Sequence, residues 1–567
     1  MKNILIILVV VIYPLLSNAQ TPVFQWAKGM GGTGNDWGQS ITTDAAGNVY
    51  TTGFFEGTAD FDPGSGVFNL TAAGGADLFI SKLDASGNFL WAKSVGGVSN
   101  DMGIFIAADA AGNTYITGRF QDTADFDPGT GIYNLSAAGL FDIFILKLDV
   151  SGNFIWAKSM GGAGNDYGYG IALDAAANSY VIGTFEGTVD FDPDAGVVNL
   201  TSAGSSDIFI TKLNSSGNLI WAKNAGGTSG DQGAAIALDA VGNIYTTGYF
   251  SDTADFDPGA GTANLISAGG IDIFLCKSDP SGNLLWAKNM GGDLVDEGCS
   301  VAVDAGGNVF STGIFSGTAD FDPGPGTVNL ISGGGNDMFI SKLDASGNFV
   351  WAKQLEGSGS NDGYSIATDA AGNIYTTGEL NGTADFNPGP GVFNLTSAGV
   401  DDVFILKLNN SGDLVWAKNM GGTGYDDGYG ITVDTHDNVY TTGFFSGTAD
   451  FNPGAGTAYL SSHGAAYDVF VHKISQPGIA NNIAENITPE YFSFYPNPTD
   501  GACNFVTTGV VKNIQIEIYS SVGALLYKQA VTNESTTIDL SNQAKGLYFV
   551  KVMHNNQIIT TKKIVKE

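Results

Sequence analysis

The chain has few cysteines, and this shortage excludes a fold held together by disulfides. Its 567 residues include only Cys276, Cys299 and Cys503, too few to form a disulfide framework in a chain of this length. A bridge between Cys276 and Cys299 would suit an exported protein, but we favour small, buried apolar positions for all three. Their spacing matches no metal-binding pattern.

Positive charge is also scarce. Lys and Arg together number 23 against 57 Asp and Glu, which gives a formal net charge of −34. Phosphate backbones and anionic lipids repel a chain of this sign, so the composition argues against nucleic acid and against anionic membrane surfaces as partners. Cations are the natural counterpart of such a chain.

Long apolar runs and helical periodicity are missing beyond the N-terminus. Residues 1–19 combine Lys2, an apolar run from Ile4 to Leu16 and a small-x-small end at Ser17 to Ala19. This is the pattern of a secretory signal peptide cut before Gln20, and an uncleaved membrane anchor is the alternative. No other segment predicts a transmembrane span, so we expect an exported, all-β protein.

A repeat of 65 residues dominates the rest of the chain. Within one period, two short Gly-Asn connections separate β-rich runs near residues 39–44, 48–55, 77–84 and 87–93, so each unit predicts four antiparallel strands. A solenoid is the alternative to a closed array. The triplet Trp-Ala-Lys marks seven units, at Trp26, Trp91, Trp156, Trp221, Trp286, Trp351 and Trp416.

The two ends of the array favour closure into a ring. The last unit lacks its fourth strand after Ile474, whereas a spare fourth strand, Val23 to Lys28, precedes the first unit. A seven-bladed β-propeller whose N-terminal strand completes the last blade uses both pieces and leaves no open sheet edge. We therefore predict a monomeric propeller over residues 20–478.

The repeat resembles a known family. Gly168 to Asp174, Gly242 to Gly248 and Asp337 to Trp351 are similar to the bacterial β-propeller repeat called SBBP, and the resemblance covers about 450 residues when all seven units are counted. It implies a propeller fold. It implies almost nothing about activity, because propellers host many unrelated functions.

The region after the repeats is predicted to be separate. An Asn-rich linker over residues 479–490 leads to residues 491–567, which predict five short strands and a small β-sandwich. It begins with a motif that comprises Tyr495, Pro496, Asn497, Pro498 and Gly501. With this motif, the region resembles the C-terminal type A sorting domain of the type IX secretion system. The resemblance implies the secretion machinery as a partner and removal of the tail at the surface, and an accessory module that stays attached is the alternative.

Each unit carries an insert of about twenty residues beyond a WD40-type blade. In the first unit, Thr58 to Phe61 and Val67 to Thr71 predict an extra hairpin across Asp-Pro-Gly. Its two acidic positions offer the oxygen ligands that calcium prefers, but we favour Asx turns because calcium usually takes about six to eight ligands. The candidate calcium ligands are Asp60, Asp62, Asp125, Asp127, Asp190, Asp192, Asp255, Asp257, Asp320, Asp322, Asp385, Asn387, Asp450 and Asn452.

Other charged and aromatic residues also recur once per unit. The repeated tryptophans are expected to pack between blades, with an exposed sugar-stacking role as the alternative. The lysines of the third strand, such as Lys82, are expected to pair with nearby carboxylates at blade edges or between blades. A second acidic set between units is expected to cap local turns, and comprises Asp36, Asp101, Asp166, Asp231, Asp296, Asp362 and Asp426.

Motifs of common active sites are missing. There is no Gly-x-Ser-x-Gly elbow, no His-Glu-x-x-His and no phosphate loop. An enzyme would need residues that break the repeat to converge in one pocket, and the candidates are Arg119, Glu379, His436 and Trp37. His436 and His463 are expected on opposite faces. We expect no catalytic residue and no cofactor other than the calcium considered above.

The sequence thus predicts a non-catalytic binding or adhesion module, secreted or held at the outer-membrane surface, with an unknown glycan or protein ligand. Two alternatives stay open. One is a calcium-dependent carbohydrate-active enzyme, a lyase or hydrolase, that uses the acidic loop face. The other is a purely structural surface protein.

Overall fold

The computed structural model describes residues 21–464, 466–476, 492–507, 514–520, 525–531, 535–554 and 557–566. The described residues form strands and turns without a helix, which confirms the all-β prediction. They contain no helix that could cross a membrane. The predicted signal peptide and linker lie outside the described residues. The chain divides into two compact units, Met1–Gln476 and Pro477–Glu567.

The strands of the first compact unit follow the 65-residue repeat. In chain order they are β1 (Val23–Gly32), β2 (Trp37–Thr43), β3 (Val49–Asp60), β4 (Asn69–Leu83), β5 (Phe89–Gly97), β6 (Met102–Ala108), β7 (Thr114–Phe120), β8 (Thr123–Asp125), β9 (Asn134–Ser136), β10 (Asp142–Leu148), β11 (Phe154–Met160), β12 (Tyr167–Leu173), β13 (Ser179–Phe185), β14 (Thr188–Asp190), β15 (Asn199–Thr201), β16 (Asp207–Leu213), β17 (Leu219–Gly227), β18 (Gln232–Leu238) and β19 (Ile244–Asp255).

The list continues with β20 (Asn264–Ser278), β21 (Leu284–Gly292), β22 (Asp296–Val303), β23 (Val309–Phe315), β24 (Thr318–Asp320), β25 (Asn329–Ile331), β26 (Asp337–Leu343), β27 (Phe349–Gln354), β28 (Glu356–Gly357), β29 (Asn361–Thr368), β30 (Ile374–Asp385), β31 (Asn394–Leu408), β32 (Leu414–Gly422), β33 (Asp426–Val433), β34 (Val439–Ser446), β35 (Thr448–Asp450), β36 (Tyr459–Ser461) and β37 (Tyr467–Ser475).

The long strands pair into groups of four antiparallel neighbours, which we call repeats 1 to 7. Short turns join them: Gly47 and Gly87 adopt φ values of 77°, which glycine reaches without strain. The Asp44 carboxylate closes the first of these turns by accepting from the Ala46 N–H. The groups are β2-β3-β4-β5, β6-β7-β10-β11, β12-β13-β16-β17, β18-β19-β20-β21, β22-β23-β26-β27, β29-β30-β31-β32 and β33-β34-β37-β1.

The N-terminal strand lies in repeat 7. β1 pairs with β37 from Val23 opposite Ser475 to Met30 opposite Val469, which is the pairing that the sequence predicts for Val23 to Lys28. The first strands of consecutive repeats pack side by side, and β2 of repeat 1 also packs beside β33 of repeat 7. The two ends of the repeat array are therefore in contact.

The inserts link consecutive repeats. In repeat 1 the predicted hairpin is present, with Thr58 opposite Thr71. The end of β1 reaches this hairpin, because Gly31 pairs with Asp60. Five later repeats show the same strand pairing, and an isolated bridge between Gly161 and Asp190 takes its place in repeat 3. Each insert thus joins its own repeat to the preceding one.

At five junctions between consecutive repeats, a tryptophan and a lysine of one repeat donate to the same carbonyl of the next. Trp91 and Lys82 of repeat 1 both donate to the carbonyl of Val150 in repeat 2, at 3.3 and 3.1 Å. Lys82 also lies over the Tyr50 ring. The tryptophan prediction agrees with this arrangement. The lysine prediction was only partly correct, because the nearest partner is a carbonyl and the Asp44 carboxylate lies farther away, at 3.9 Å.

The same contact joins repeat 7 to repeat 1. Trp26 and Lys473 both donate to the Ala85 carbonyl, at 3.3 and 2.9 Å. At the junction from repeat 6 to repeat 7 the contact changes, because the chain leaves its repeat after Gln476. The Nε1 atom of Trp416 is buried there without a partner among the described residues, and Lys407 donates to the Gln476 side chain instead.

Phenylalanines form the centre of the sheet of each repeat, three in six of the repeats and two in repeat 6, where Leu380 takes the first position. In repeat 1 the rings of Phe55 and Phe61 lie 5.4 Å apart, and those of Phe61 and Phe79 lie 4.8 Å apart. All three are fully buried. Cys276 is also buried in such a core and the three cysteines are free, so no bridge joins Cys276 to Cys299.

The second compact unit consists of two antiparallel sheets that share one apolar core, built from residues such as Phe505, Ile516 and Val550. Its sheets have the orders β38-β39-β42 and β41-β40-β43-β44. Its strands are β38 (Phe492–Tyr495), β39 (Ala502–Thr507), β40 (Ile514–Ser520), β41 (Leu525–Val531), β42 (Ser535–Asp539), β43 (Gly546–His554) and β44 (Gln557–Lys566).

Candidate functional site

The repeats differ most at one end of their first two strands. There, two side chains that flank a glycine of the first strand lie beside one side chain of the second strand. We call these positions the variable layer. In repeats 1 to 7 they are Trp37, Gln39 and Phe54; Met102, Ile104 and Arg119; Tyr167, Tyr169 and Thr184; Gln232, Ala234 and Tyr249; Glu297, Cys299 and Ile314; Asp362, Tyr364 and Glu379; and Asp427, Tyr429 and Phe444.

A β-bulge and two glycines shape this layer in every repeat. In repeat 1 the register shifts between Gly38 and Ser40, opposite Gly53 and Thr52. A side chain on Gly53 would place its Cβ 1.8 Å from the Trp37 carbonyl oxygen, so the position requires glycine. The bulge bends the first strand at the positions that carry the variable side chains.

Aromatic rings connect the layer across repeats 6, 7 and 1. The Trp37 ring lies 4.4 Å from that of Phe444 and 5.8 Å from that of Tyr429. Tyr429 stacks on Tyr364 with centroids 4.8 Å apart and planes 3° from parallel. Such pairs stabilise beyond their buried area by about 0.5–1.5 kcal/mol each.

Carboxylates collect next to these rings. Glu379, Asp401 and Asp427, which we call the acidic triad, each place one carboxylate oxygen within 4.8 Å of the other two. The Tyr364 hydroxyl donates to Glu379 Oε2 at 3.0 Å, and Asn381 donates to Asp401 Oδ1 at 2.8 Å. The Oδ1 atom of Asp427 is buried and has no hydrogen-bond partner among the described residues.

Burial and mutual repulsion raise the pKa values of two carboxyl groups in the acidic triad. Burial raises the pKa of Asp427 to about 8, with repulsion from Glu379 and Asp401 adding to the effect. Burial and the neighbouring Asp362 and Asp401 raise the pKa of Glu379 to about 7. Strongly perturbed carboxyl groups in one place are typical of functional sites.

Arg119 lies elsewhere in the layer, in repeat 2. Its guanidinium sits over the Tyr167 ring at 4.7 Å and over the Phe141 ring at 5.1 Å, and it donates to the Met102 sulfur at 3.3 Å. Within the described part of the chain Arg119 makes no ion pair, so the acidic triad is not neutralised by it.

The four candidates for an asymmetric enzyme site are not brought together. Trp37 and Glu379 belong to the connected aromatic and acidic part of the layer, whereas Arg119 packs two repeats away from Tyr429. His436 lies in the turn before β34, at the opposite end of the strands from His463, which contacts Asp468 at the start of β37. The predicted separation of these two histidines is therefore present.

The Asp-x-Asp motif of the inserts holds its own backbone. Asp60 Oδ1 accepts from the N–H groups of Asp62 and Phe68, at 3.0 and 2.8 Å, and Asp62 Oδ1 accepts from Gly64 at 2.8 Å. Asn387 makes the same contact with its own Pro-Gly turn. These are the predicted Asx turns. Calcium at this motif stays a prediction.

The second acidic set needs one correction. The 65-residue spacing and the hydrogen bonds place Asn361, and not Asp362, in the position of Asp101. The backbone N–H groups of Asn361 and Asp101 each donate to a carbonyl of the preceding repeat. Asp362 lies one residue later, in the variable layer. Asp101 itself accepts from Gly97 at 2.6 Å and from Gln121 at 3.1 Å, so the predicted capping role is present.

We expect Asp101 to make stability depend on pH. Burial raises the pKa of Asp101 to about 7, with Asp77 and Asp122 adding repulsion against two lowering backbone hydrogen bonds. Because the folded state then holds a proton more tightly than the unfolded state, its contribution is complete below pH 3.8 and is lost as pH rises through about 7. The melting temperature should therefore fall between about pH 4 and pH 7.

In Asp101→Asn this decline should become shallower by an amount on the order of a few kcal/mol in free energy of unfolding. Urea titrations at several pH values measure it. Asp127→Asn is the matched control, because Asn387 occupies that insert position naturally. Equal slopes in wild type and Asp101→Asn would show that Asp101 stays ionised in the folded protein.

The predicted sorting motif lies at the start of the second compact unit. Asn497 donates to the Lys563 carbonyl at 2.6 Å and accepts from the Val565 N–H at 2.9 Å, so the motif is fastened to the last strand. Tyr495 is about half exposed. The remaining motif residues, Pro496, Pro498 and Gly501, lie in the connection between β38 and β39.

Comparison with known families identifies both regions. Residues 493–567 match the family described as the secretion system C-terminal sorting domain, and residues 350–387 and 415–443 match the β-propeller repeat family SBBP. The chain therefore carries propeller repeats and a type IX sorting domain, and both resemblances are confirmed.

Curated relatives are more distant. An uncharacterised WD repeat-containing protein of Acanthamoeba polyphaga mimivirus is 25% identical in an alignment 532 positions long, which covers 79% of this chain and 38% of that protein. The regulatory protein FlaEY of Caulobacter vibrioides is 26% identical over 157 residues, 28% of this chain and 16% of that protein. The chain thus spans well under half the length of either relative.

Two solved structures are similar over much of the chain. The WD40 β-propeller domain of Doa1 is 11% identical, with a TM-score of 0.26, and the match covers 63% of this chain and 90% of that one. A fungal alcohol oxidase in complex with copper is 12% identical, with a TM-score of 0.30, and the match covers 81% and 96%.

Proposed function

We propose that this chain, which carries β-propeller repeats and a type IX sorting domain, is an exported propeller that binds a ligand at its variable layer and catalyses no reaction. The sorting domain supports delivery to the cell surface or the medium. The ligand site is supported by one observation: the variable layer is where otherwise similar repeats differ. Packing positions repeat because every sheet needs them, so differing side chains are free for recognition.

The proposal includes a closed, seven-bladed ring. It is supported by the pairing of β1 with β37 and by the packing of β2 beside β33. Trp26 and Lys473 meet Ala85 through the same contact that joins other consecutive repeats. A closed ring leaves no unpaired strand edge and holds the variable layer at the end of its central strands.

The surroundings of the layer suit a ligand of some size. Exposed apolar side chains lie in the connections at the same end of the repeats: Val98 is 75% exposed, Leu140 54%, Leu294 52% and Tyr425 47%. Exposed apolar groups that lie next to polar groups are typical of interaction sites. We propose a glycan, because half-buried aromatic faces next to carboxylates can pack against sugar rings and accept from their hydroxyls.

Carboxylate spacing supports the non-catalytic part of the proposal. Glycosidases hold their two carboxyl groups about 5–5.5 Å apart, or about 6.5–9.5 Å apart, on either side of a glycosidic bond. The triad oxygens lie within 4.8 Å of one another. This arrangement is better suited to binding one positively charged group than to placing a carboxyl group on each side of a glycosidic bond.

Binding should depend on the layer and not on the inserts. We expect Trp37→Leu and Tyr364→Phe each to weaken glycan binding by about tenfold or more, which corresponds to about 1.4 kcal/mol. Tyr364→Phe removes only a hydroxyl, and circular dichroism of each variant controls for folding. A glycan array followed by calorimetry with the purified full chain measures the affinities.

Val67→Ala, which trims a 73% exposed side chain of an insert, is the matched control and should bind like wild type. Glycan binding that survives both layer substitutions, or that is lost in the insert variant, would place the site elsewhere. Binding to whole cells without any glycan hit would point to a protein ligand instead.

A further inference from the structure

The acidic triad combines close spacing with burial. Glu379 and Asp401 come from β30 and β31 of repeat 6, and Asp427 comes from β33 of repeat 7, so two repeats build it together. Asp401 and Asp427 are only 8% and 6% exposed. Placing three carboxyl groups this close in a water-poor environment is costly unless protons or a positive charge compensate them.

The described residues supply no compensating charge. None of the ion pairs within the described part of the chain involves Glu379, Asp401 or Asp427. The neighbouring donors, Tyr364 and Asn381, are neutral groups. The negative charge of the triad is thus left for a bound species to balance.

Two of the carboxylates are held in place through one oxygen each. Tyr364 donates to Glu379 Oε2, and Asn381 donates to Asp401 Oδ1. Such outer contacts orient the second oxygen, as they do around known metal ligands. Independently of this geometry, Asp427 Oδ1 is buried and unpartnered within the described residues, although a buried polar atom normally has a partner.

We propose that the acidic triad binds one divalent cation, Ca²⁺, through Glu379, Asp401 and Asp427. Carboxylate oxygens without nitrogen or sulfur ligands select hard cations. Calcium accepts mixed one- and two-oxygen carboxylate contacts and completes its shell with water, which suits three ligands from two repeats. Calcium sites of extracellular modules bind with dissociation constants of about 10⁻⁴ to 10⁻³ M, the range that we expect here.

This site differs from the Asp-x-Asp motif considered from the sequence. The motif occurs once per repeat and uses its oxygens on its own backbone, whereas the triad occurs once among the residues that the structure describes. The cation site does not depend on which ligand the variable layer binds. The two hypotheses can therefore fail separately.

Terbium luminescence tests the site directly. Tb³⁺ replaces Ca²⁺ at oxygen sites, and energy transfer from Tyr364 and Tyr429 should sensitise its emission. With the full chain we expect aromatic-excited emission that Ca²⁺ competes away. Glu379→Gln and Asp427→Asn should each weaken terbium binding at least tenfold, whereas Asp62→Asn, which copies the natural Asn387 of repeat 6, should leave it unchanged.

Thermal unfolding provides a second readout. Added Ca²⁺ should raise the melting temperature of wild type by several degrees and that of Asp427→Asn hardly at all, because a ligand of the folded state stabilises it. Circular dichroism shows whether each variant folds, and Glu379→Gln is the milder change because Glu379 is only half-buried.

Two results would overturn the proposal. One is terbium emission that is equal in wild type, Glu379→Gln and Asp427→Asn. The other is a wild-type melting temperature that Ca²⁺ leaves unchanged while Asp427→Asn raises it, since that pattern means that the triad carries shared protons instead of a cation.

Discussion

Deletion of residues 20–28 should lower the melting temperature of the first compact unit by about 10 °C or more. The deletion removes five of the seven residue pairs between β1 and β37, those of Val23, Phe24, Trp26, Ala27 and Lys28. It also removes the Trp26 contact to the Ala85 carbonyl in repeat 1. Losing a tryptophan from a packed site alone costs about 3–5 kcal/mol, a large part of the stability of a typical domain.

A rearranged chain tests whether stability depends on the pairing of β1 with β37 or on the place of its residues in the sequence. In it, residues 20–32 follow Gln476 through a short Gly-Ser linker, so that repeat 7 becomes continuous. Differential scanning calorimetry should give this chain nearly the wild-type melting temperature. If deletion of residues 20–28 leaves thermal unfolding unchanged, β1 does not close a ring, and the array behaves like a solenoid that has merely lost an end.

Deletion of residues 493–567 should abolish delivery to the cell surface while leaving the propeller folded. These residues match the sorting domain and form a compact unit with its own core, which includes Phe505 and Val550. The main unfolding transition of the shortened chain should therefore stay within about 2 °C of that of the full chain, because the strands and cores of the first compact unit are unchanged. Surface proteolysis and cell fractionation measure the location.

Asn497→Ala is a finer version of this experiment. It removes both hydrogen bonds to β44 and should reduce surface delivery without touching the repeats. Gln529→Ala, an exposed position on β41 at the opposite edge of the sheet from β44, is the control. Normal surface delivery of the chain without residues 493–567 would contradict the sorting role.

Much of the fold could be predicted from the sequence because its signals repeat seven times. Glycine-containing turns such as Gly47 and Gly87 fixed the strand order, and the spare strand at Trp26 fixed its place in repeat 7. The boundaries were less accurate. β3 was expected to end at Phe55 and extends to Asp60, because the insert hairpin continues the sheet and pairs with the preceding repeat.

The candidate site was harder to predict. Repetition draws attention to what recurs, such as the Asp-x-Asp motif, whereas the acidic triad depends on residues that do not recur. Glu379 stands out in the sequence because it breaks the repeat, whereas Asp401 and Asp427 are two among many aspartates. When the repeats are aligned at their 65-residue spacing, Asn361 falls in the capping position and Asp362 in the variable layer. The same alignment shows from the sequence that the positions of the variable layer differ between repeats.

The convergence of the triad could not be read from spacing alone. Asp427 lies in a different repeat from Glu379 and Asp401, so its approach depends on how β33 packs beside β29 and β30. That packing follows from close glycine contacts, such as the one between Gly428 and Thr377, which would leave only 2.4 Å for a Cβ. The sequence shows where the glycines are, but it does not show which side chains of the neighbouring repeat pack against them.

The most direct test of this account is the number of calcium ions that the full chain binds. Under the calcium proposal, seven similar repeats carry one built site, at the acidic triad, and the repeated inserts hold only their own turns. Equilibrium dialysis against millimolar Ca²⁺, with Asp427→Asn in parallel, measures the stoichiometry. The predicted result is one ion per chain in wild type and none in Asp427→Asn. About seven ions per chain, or none in wild type, would contradict it.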